Sequence, residues 1–144
     1  MISCKNLKIT DENIEKLELA RFDAYGMKTD DFDLKNTFSA NQLRNKKYLA
    51  FGAYLEDKLV GGCYVSNSRN SLYIEELFVR KDASQIEVGT NLLKYVLKRK
   101  SFIEKYYCQE FNTSCLENRE ELNGIYQSLG YRKISQIVMS KRFK

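Results

Sequence analysis

The sequence predicts an α/β chain built on a mixed sheet with helices packed on both faces. Two observations predict it. Apolar runs of strand character occur both in a tight hairpin and on either side of amphipathic helices, so antiparallel and parallel pairing must coexist. One segment, Leu72 to Lys100, also runs from strand to polar loop to helix without a break. A strand feeding a helix N-terminus leaves backbone N–H groups unpaired at the positive end of the helix dipole. That arrangement holds anions, and a phosphate is the usual occupant.

The elements follow in order. Ile2 to Ile9 suits a first strand, with Cys4 as a small buried residue. Thr10-Asp11 is a helix N-cap with Glu12 in the first turn; Ile14, Leu17, Ala20, Arg21 and Ala24 keep helical spacing, and Gly26 stops the helix. A polar acidic connection, Lys28 to Asp33, leads to a second helix near Thr37 to Lys46. Tyr48 to Leu55 and Leu59 to Ser66 are two strands joined by the short polar turn Glu56-Asp57-Lys58, the mark of a hairpin. Gly61 and Gly62 inside the second strand point to a bulge or to close approach of another group. The central strand starts at Leu72 and ends in the apolar run Leu77-Phe78-Val79; the helix after it carries Val88, Leu92, Leu93, Val96 and Leu97 on one face. Lys105 to Asn112 is a further strand, Glu117 to Leu129 a helix stopped by Gly130, and Tyr131 to Phe143 one long or two short closing strands. The order is β-α-α-β-β-β-α-β-α-β.

Composition narrows the function classes. At 144 residues the chain is expected to form one domain over residues 1–144, large enough to bury a core unaided. It has no apolar run long enough for a bilayer and no basic-then-apolar leader, so no membrane partner is expected. Its four cysteines (Cys4, Cys63, Cys108, Cys115) form no CxxC pair and no histidine is present, which argues against a metal and for reduced thiols in a cytoplasmic protein. Without histidine, acid–base chemistry must use Glu, Asp, Tyr, Cys or water. The net charge of +5 permits an anionic ligand. Basic residues are dispersed, with clusters only at Lys98-Arg99-Lys100 and near Lys141-Arg142-Lys144, whereas nucleic-acid binding calls for a denser patch interleaved with aromatics.

Three motifs lie on this order. They are Tyr73-Ile74-Glu75-Glu76-Leu77-Phe78-Val79 on the central strand, Ser84-Gln85-Ile86-Glu87-Val88-Gly89-Thr90 ahead of Leu92-Leu93, and Tyr126-Gln127-Ser128-Leu129-Gly130-Tyr131. Together they resemble the GNAT superfamily of acyl-CoA-dependent N-acetyltransferases. The first is similar to the Y-[LI]-E-[DE]-x-F-V strand of polyamine acetyltransferases, the second to the [QR]-x-x-G-x-[GA] pyrophosphate loop, the third to a C-terminal Y-x-x-x-G-[FY] signature. The loop departs from its pattern: Ser84 stands where the family prefers Arg or Gln, and Glu87 where it prefers Gly. Only Gly89 is kept, and a carboxylate at Glu87 adds like charge to a pyrophosphate.

The resemblance implies a mostly antiparallel sheet of six to seven strands, splayed at the centre, with acetyl-CoA as cosubstrate and no metal. It places the acyl thioester in the cleft between the strand ending at Val79 and the next one. The backbone of Leu77, Phe78 and Val79 would hold the pantetheine arm, and one of those amides would polarise the carbonyl. Ser84, Gln85, Glu87, Val88, Gly89 and Thr90 would hold the pyrophosphate, with Asn118 as a further cofactor-binding residue. It makes Tyr126 the general acid for the departing thiolate, a role its phenol suits because its pKa lies near that of a thiol. Glu75 would take the amine proton through water. Glu75 and Glu76, as neighbours on a strand, are expected on opposite faces. The residues alone leave room for Tyr126 as a core aromatic and for both glutamates as rim carboxylates. The acceptor, a small-molecule or peptide amine, would lie near Asp23, Tyr25, Asp30, Asp31, Phe32 and Asp33, although a solvated acidic loop is the simpler explanation of these residues. The cysteines are expected to be structural. A homodimer is compatible with this reading, and a non-catalytic acyl-CoA-binding or regulatory module is the alternative function.

Overall fold

The computed structural model describes residues 1–68, 71–98, 110–114, 132–133 and 138–142. Its elements are β1 (Ile2–Leu7), α1 (Asp11–Ala24), a 3-10 turn (Leu34–Asn36), α2 (Phe38–Leu43), β2 (Tyr48–Leu55), β3 (Lys58–Ser68), β4 (Ser71–Val79), α3 (Gln85–Leu97), β5 (Glu110–Ser114), β6 (Arg132–Lys133) and β7 (Val138–Arg142). Among the described residues the strands form one sheet in the order β1-β2-β3-β4-β5-β7-β6. Only β4 and β5 pair in parallel; the other neighbours are antiparallel. The sheet is mixed and mostly antiparallel, as expected. The expected helix over Glu117 to Leu129 lies outside the described residues, as do Cys108 and Cys115.

Local chemistry sets the boundaries. The Thr10 hydroxyl accepts from the Asn13 amide at 3.2 Å, and Asp11 and Glu12 sit in the first turn of α1. Gly26 ends that helix at φ +69°, a conformation that costs a glycine little, and the Met27 amide reaches back to the Phe22 carbonyl at 2.8 Å. Helix α2 is shorter than predicted, six residues capped by Thr37, because the chain spends Leu34–Asn36 in a 3-10 turn and leaves the helix at Arg44. β2 runs from Tyr48 to Leu55, matching the sequence reading at both ends.

Two cores lie on the two faces of the sheet. On one, Ile14, Leu17 and Ala20 of α1 and Ala40 and Leu43 of α2 pack against Ala50, Tyr64 and Phe78. On the other, Val88, Leu92, Leu93 and Val96 of α3 pack against Phe51, Cys63, Val65, Ile74, Leu77 and Val79. The two glycines of β3 mark close approach. A Cβ on Gly61 would sit 2.9 Å from the Phe78 carbonyl oxygen and 2.8 Å from Val88 Cγ1, and one on Gly62 would run into the Phe78 ring.

Two irregularities in β4 position the site. Tyr64 pairs with Glu76 and Val65 with Ile74, so Glu75 is an extra residue, a β-bulge. Parallel pairing with β5 covers Ser71 to Ile74; beyond Ile74–Thr113 no β5 partner of β4 occurs among the described residues. The bulge thus follows directly on the last β4–β5 pair among the described residues.

Candidate active site

The bulge reverses one sequence expectation. Ile74 faces the α3 core, and so do Leu77 and Val79, while Phe78 faces α1. Strict alternation would turn Glu76 towards α3. The extra residue turns it instead to the α1 side, the side Glu75 also occupies, because a bulge shifts the period by one. The two glutamates do not point to opposite faces: both line one cavity of ≈ 210 Å³. Its other walls are Phe38, Ser39, Gln42 and Leu43 of α2, Tyr48 of β2 and Tyr64 of β3.

The two carboxylates have different surroundings. Glu75 is exposed and accepts a 2.5 Å hydrogen bond from the Ser66 hydroxyl. Glu76 is half-buried; its Oε1 lies 3.4 Å from Arg21 Nη1 and 3.4 Å from the Tyr25 hydroxyl. Burial pushes the Glu76 carboxyl above the ordinary carboxylate range; the nearby Arg21 charge opposes this and the Glu18 charge adds to it. Burial also raises the Tyr48 phenol, and the Glu75 charge acts in the same sense.

Behind the cavity lies a network that sequence reasoning missed. Glu18 of α1 is fully buried. Its carboxylate accepts from Arg21 Nε at 2.9 Å, Arg21 Nη2 at 3.1 Å, the Thr37 hydroxyl at 2.5 Å and the Tyr64 hydroxyl at 2.7 Å. A charge buried with four donors is satisfied as few side chains can be. A signal was present: Ile14, Glu18 and Arg21 follow the apolar spacing of α1, so an ionisable pair sat where core residues belong. Tyr48 and Tyr64 alternate with core residues along their strands, and nothing in that pattern separates a cavity wall from a core side chain.

The loop after β4 is braced from α1. The Asp23 carboxylate accepts from the Lys81 amide at 2.9 Å and pairs with Arg80 at 3.7 Å, while Lys58 meets Asp82 at 3.0 Å. The segment expected to meet a pyrophosphate at a helix N-terminus begins α3: Ser84 is its N-cap, and Gln85 to Thr90 form its first turns. The Ser84 hydroxyl accepts from the Glu87 amide at 3.3 Å, the Glu87 side chain is exposed, and Val88 and Gly89 are buried. Leu77, Phe78 and Val79 lie on the part of β4 beyond its pairing with β5. Tyr126 and Asn118 lie outside the described residues. The acidic residues of the α1–α2 connection are not drawn into the cavity: Asp33 caps the 3-10 turn through the Lys35 amide, Phe32 packs edge-on against Phe22 at 5.0 Å, and Asp30 and Asp31 are exposed. Cys63 is buried in the α3 core and burial raises its thiol far above the ordinary range. Among the described residues no group of three or more His, Cys, Asp or Glu could hold a metal, and no helix is long and apolar enough to cross a membrane.

The chain thus combines a mixed sheet, a bulge in its central strand and a helix N-terminus after that strand's end. A family model described as an acetyltransferase (GNAT) domain matches residues 19–143. The chain belongs to that family and is an acyltransferase of its type. It is similar in structure to the ribosomal-protein-S18-alanine N-acetyltransferase from Escherichia coli, at TM-score 0.78 and 13% identity over 100% of this chain and 95% of that one. It is also similar to aminoglycoside 6'-acetyltransferase type Ii (TM-score 0.74, 14% identity, 97% and 96% covered). A third likeness is to the PaiA N-acetyltransferase from Thermoplasma acidophilum in complex with coenzyme A (TM-score 0.65, 16% identity, 99% of each chain). No curated protein matches the chain by sequence.

Proposed function

We propose that the chain moves an acetyl group from acetyl-CoA to a primary amine by direct attack, with Glu75 as base through water and Tyr126 as general acid. The observation that carries this reading is the bulge that turns Glu75 and Glu76 into one aromatic-lined cavity, just past the last β4–β5 pair among the described residues. Two negative groups beside Tyr48, Tyr64 and Phe38 suit an ammonium group, which gains from carboxylates and from ring faces alike.

The residues present fit the cosubstrate. Beyond Ile74 the β4 edge offers the N–H and C=O groups of Leu77, Phe78 and Val79 to an extended arm, and the first turn of α3 offers the amides of Gln85 and Ile86 to a pyrophosphate. The acetyl-CoA thioester supplies the activated acyl carbon. The amine nitrogen bonds to that carbon, the C–S bond breaks, and the sulfur leaves with the electron pair. Glu75 receives the ammonium proton by way of water before attack; Tyr126 gives its phenolic proton to the sulfur and is restored by the proton that the acylated nitrogen sheds as the amide forms. The acceptor is a small-molecule or peptide amine, consistent with the aminoglycoside and protein-alanine acceptors named for two of the structural neighbours. The same reading takes residues 1–144 as one cytoplasmic domain, free or as a homodimer, with no nucleic-acid or membrane partner.

A second reading, a non-catalytic acyl-CoA-binding module, is favoured by one observation: Ser84 already caps the amide of Glu87, and Glu87 places a negative charge in the first turn of α3. Calorimetric titration with acetyl-CoA and a thiol-release screen over polyamines, aminoglycosides, amino acids and peptide N-termini separate the readings. Binding with release supports the enzyme, binding without release across the screen supports the module, and no binding at millimolar acetyl-CoA overturns both.

A further inference from the structure

We propose that Glu18 is a positioning residue for the acceptor cavity: its carboxylate fixes the guanidinium of Arg21, and Arg21 holds Glu76 at the cavity wall. The inference rests on the acceptor reading of that cavity. Its basis is the geometry of the fork. Two of the three Arg21 nitrogens, Nε and Nη2, are committed to the two oxygens of Glu18 at 2.9 and 3.1 Å. Such bidentate pairing sets the plane of the guanidinium, so the third nitrogen, Nη1, has one direction left, and Glu76 Oε1 lies there at 3.4 Å.

Glu18 cannot turn away. The Thr37 and Tyr64 hydroxyls donate to its remaining lone pairs, and burial, with the Glu18 charge adding to it, raises the Tyr64 phenol well above its ordinary value, so that hydroxyl stays a donor. The same Thr37 oxygen caps α2 by accepting from the Ala40 amide at 3.0 Å, and α2 supplies the cavity wall opposite β4. One carboxylate thus ties both walls together. Stability alone does not call for it, since a buried ion pair is commonly no better than well-packed apolar side chains of the same volume.

Carboxyl-carbon NMR of the full chain, with the signal assigned through Glu76→Gln, follows the Glu76 titration. The groups around it are Glu18, Arg21 and Tyr25 of α1, Cys63 and Tyr64 of β3, and Glu75 and Tyr48 on the cavity wall. Arg21→Gln removes an attracting charge and moves the Glu76 titration to higher pH; in a Glu18→Gln background, where the fork is broken, it moves the titration less than half as far. Glu18→Met, close in shape and apolar, gives the same reduced shift. With an acceptor identified, Arg21→Lys keeps the charge without the fork and raises the amine KM roughly tenfold, the loss of about one directed hydrogen bond, while the acetyl-CoA KM stays unchanged. An Arg21→Gln shift of the wild-type size in folded Glu18 variants overturns the proposal. So does failure of both Glu18 variants to fold. The acetyltransferase reading fails on a different result, absent acetyl-CoA binding by the wild-type chain, which leaves these titrations untouched.

Discussion

Glu76 shows how burial and function pull against each other on one side chain. Its folded carboxyl lies above its ordinary value of 4.5, mainly because the cavity wall strips water from it. A group raised on folding contributes stability that is complete below its unfolded pKa and is lost as pH rises through its folded one. Ionised Glu76 is therefore a net cost at neutral pH. Glu76→Gln removes that cost and keeps an oxygen for Arg21 and Tyr25. Chemical denaturation from pH 4 to 8 is expected to show wild-type stability declining relative to Glu76→Gln as pH rises from about 4.5 upward through the folded value. Amine turnover falls about tenfold or more in the same variant. A wild type that gains on the variant over that window would place Glu76 among groups stabilised by ionisation. Gly61 makes a steric case at the same scale. Its missing Cβ leaves room for the Phe78 carbonyl, which as backbone cannot swing aside. Gly61→Ala should cost about 1–3 kcal/mol in urea unfolding, the usual range for overpacking. The sequence marked both β3 glycines as points of close approach, and they are. It could not mark the orientation of Glu76, because one inserted residue inverts strand parity without leaving a trace in composition.

At the scale of elements, the N-terminus of α3 fixes where within the motif the helix begins. Ser84 starts the helix and Gly89 lies in its second turn. The reason is local: Ser at the cap and an acidic residue three positions on are a strong helix-start signal. Glu87 then serves the helix and opposes the ligand, favouring the positive end of the dipole while repelling a pyrophosphate. Glu87→Gln is predicted to lower stability by about 0.5 kcal/mol and to tighten acetyl-CoA binding several-fold, read by thermal melting and calorimetry. Weaker binding would mean that the Glu87 side chain contacts the ligand as an acceptor. Elsewhere the elements were legible. Thr10, Gly26 and the Tyr48–Leu55 run set their own boundaries through caps and pleats that act over a few residues. The length of α2 was not legible, since Thr37 caps it in concert with Glu18, nineteen residues away.

At the scale of the whole molecule, the bulge at Glu75 bends the central strand just past its last pair with β5 among the described residues. Val65 pairs with Ile74 and Tyr64 with Glu76, so β3 is continuous across the bulge and needs nothing from Glu75. Deleting Glu75 leaves a regular strand: Ile74 stays on the α3 face, Glu76 and Phe78 on the α1 face, Leu77 and Val79 again on the α3 face. No core residue changes sides, which a deletion inside a strand otherwise forces. The chain is therefore expected to fold, with a melting temperature within about 5 °C of the wild type, a change of no more than 1–2 kcal/mol. What it loses is the bend. A bulge kinks its strand and adds twist, and this one sits one residue past the last β4–β5 pair. A straight β4 would lose the bend that presents Leu77 to Val79 to the pantetheine arm. The deletion is predicted to abolish acetyl-CoA binding, whereas Glu75→Gln, which keeps the bulge and removes only the charge, binds acetyl-CoA within about twofold of the wild type and loses turnover. Calorimetry on the two variants side by side gives the answer. If the deletion variant still binds at wild-type affinity, the bend at Glu75 is not what presents that edge to the ligand.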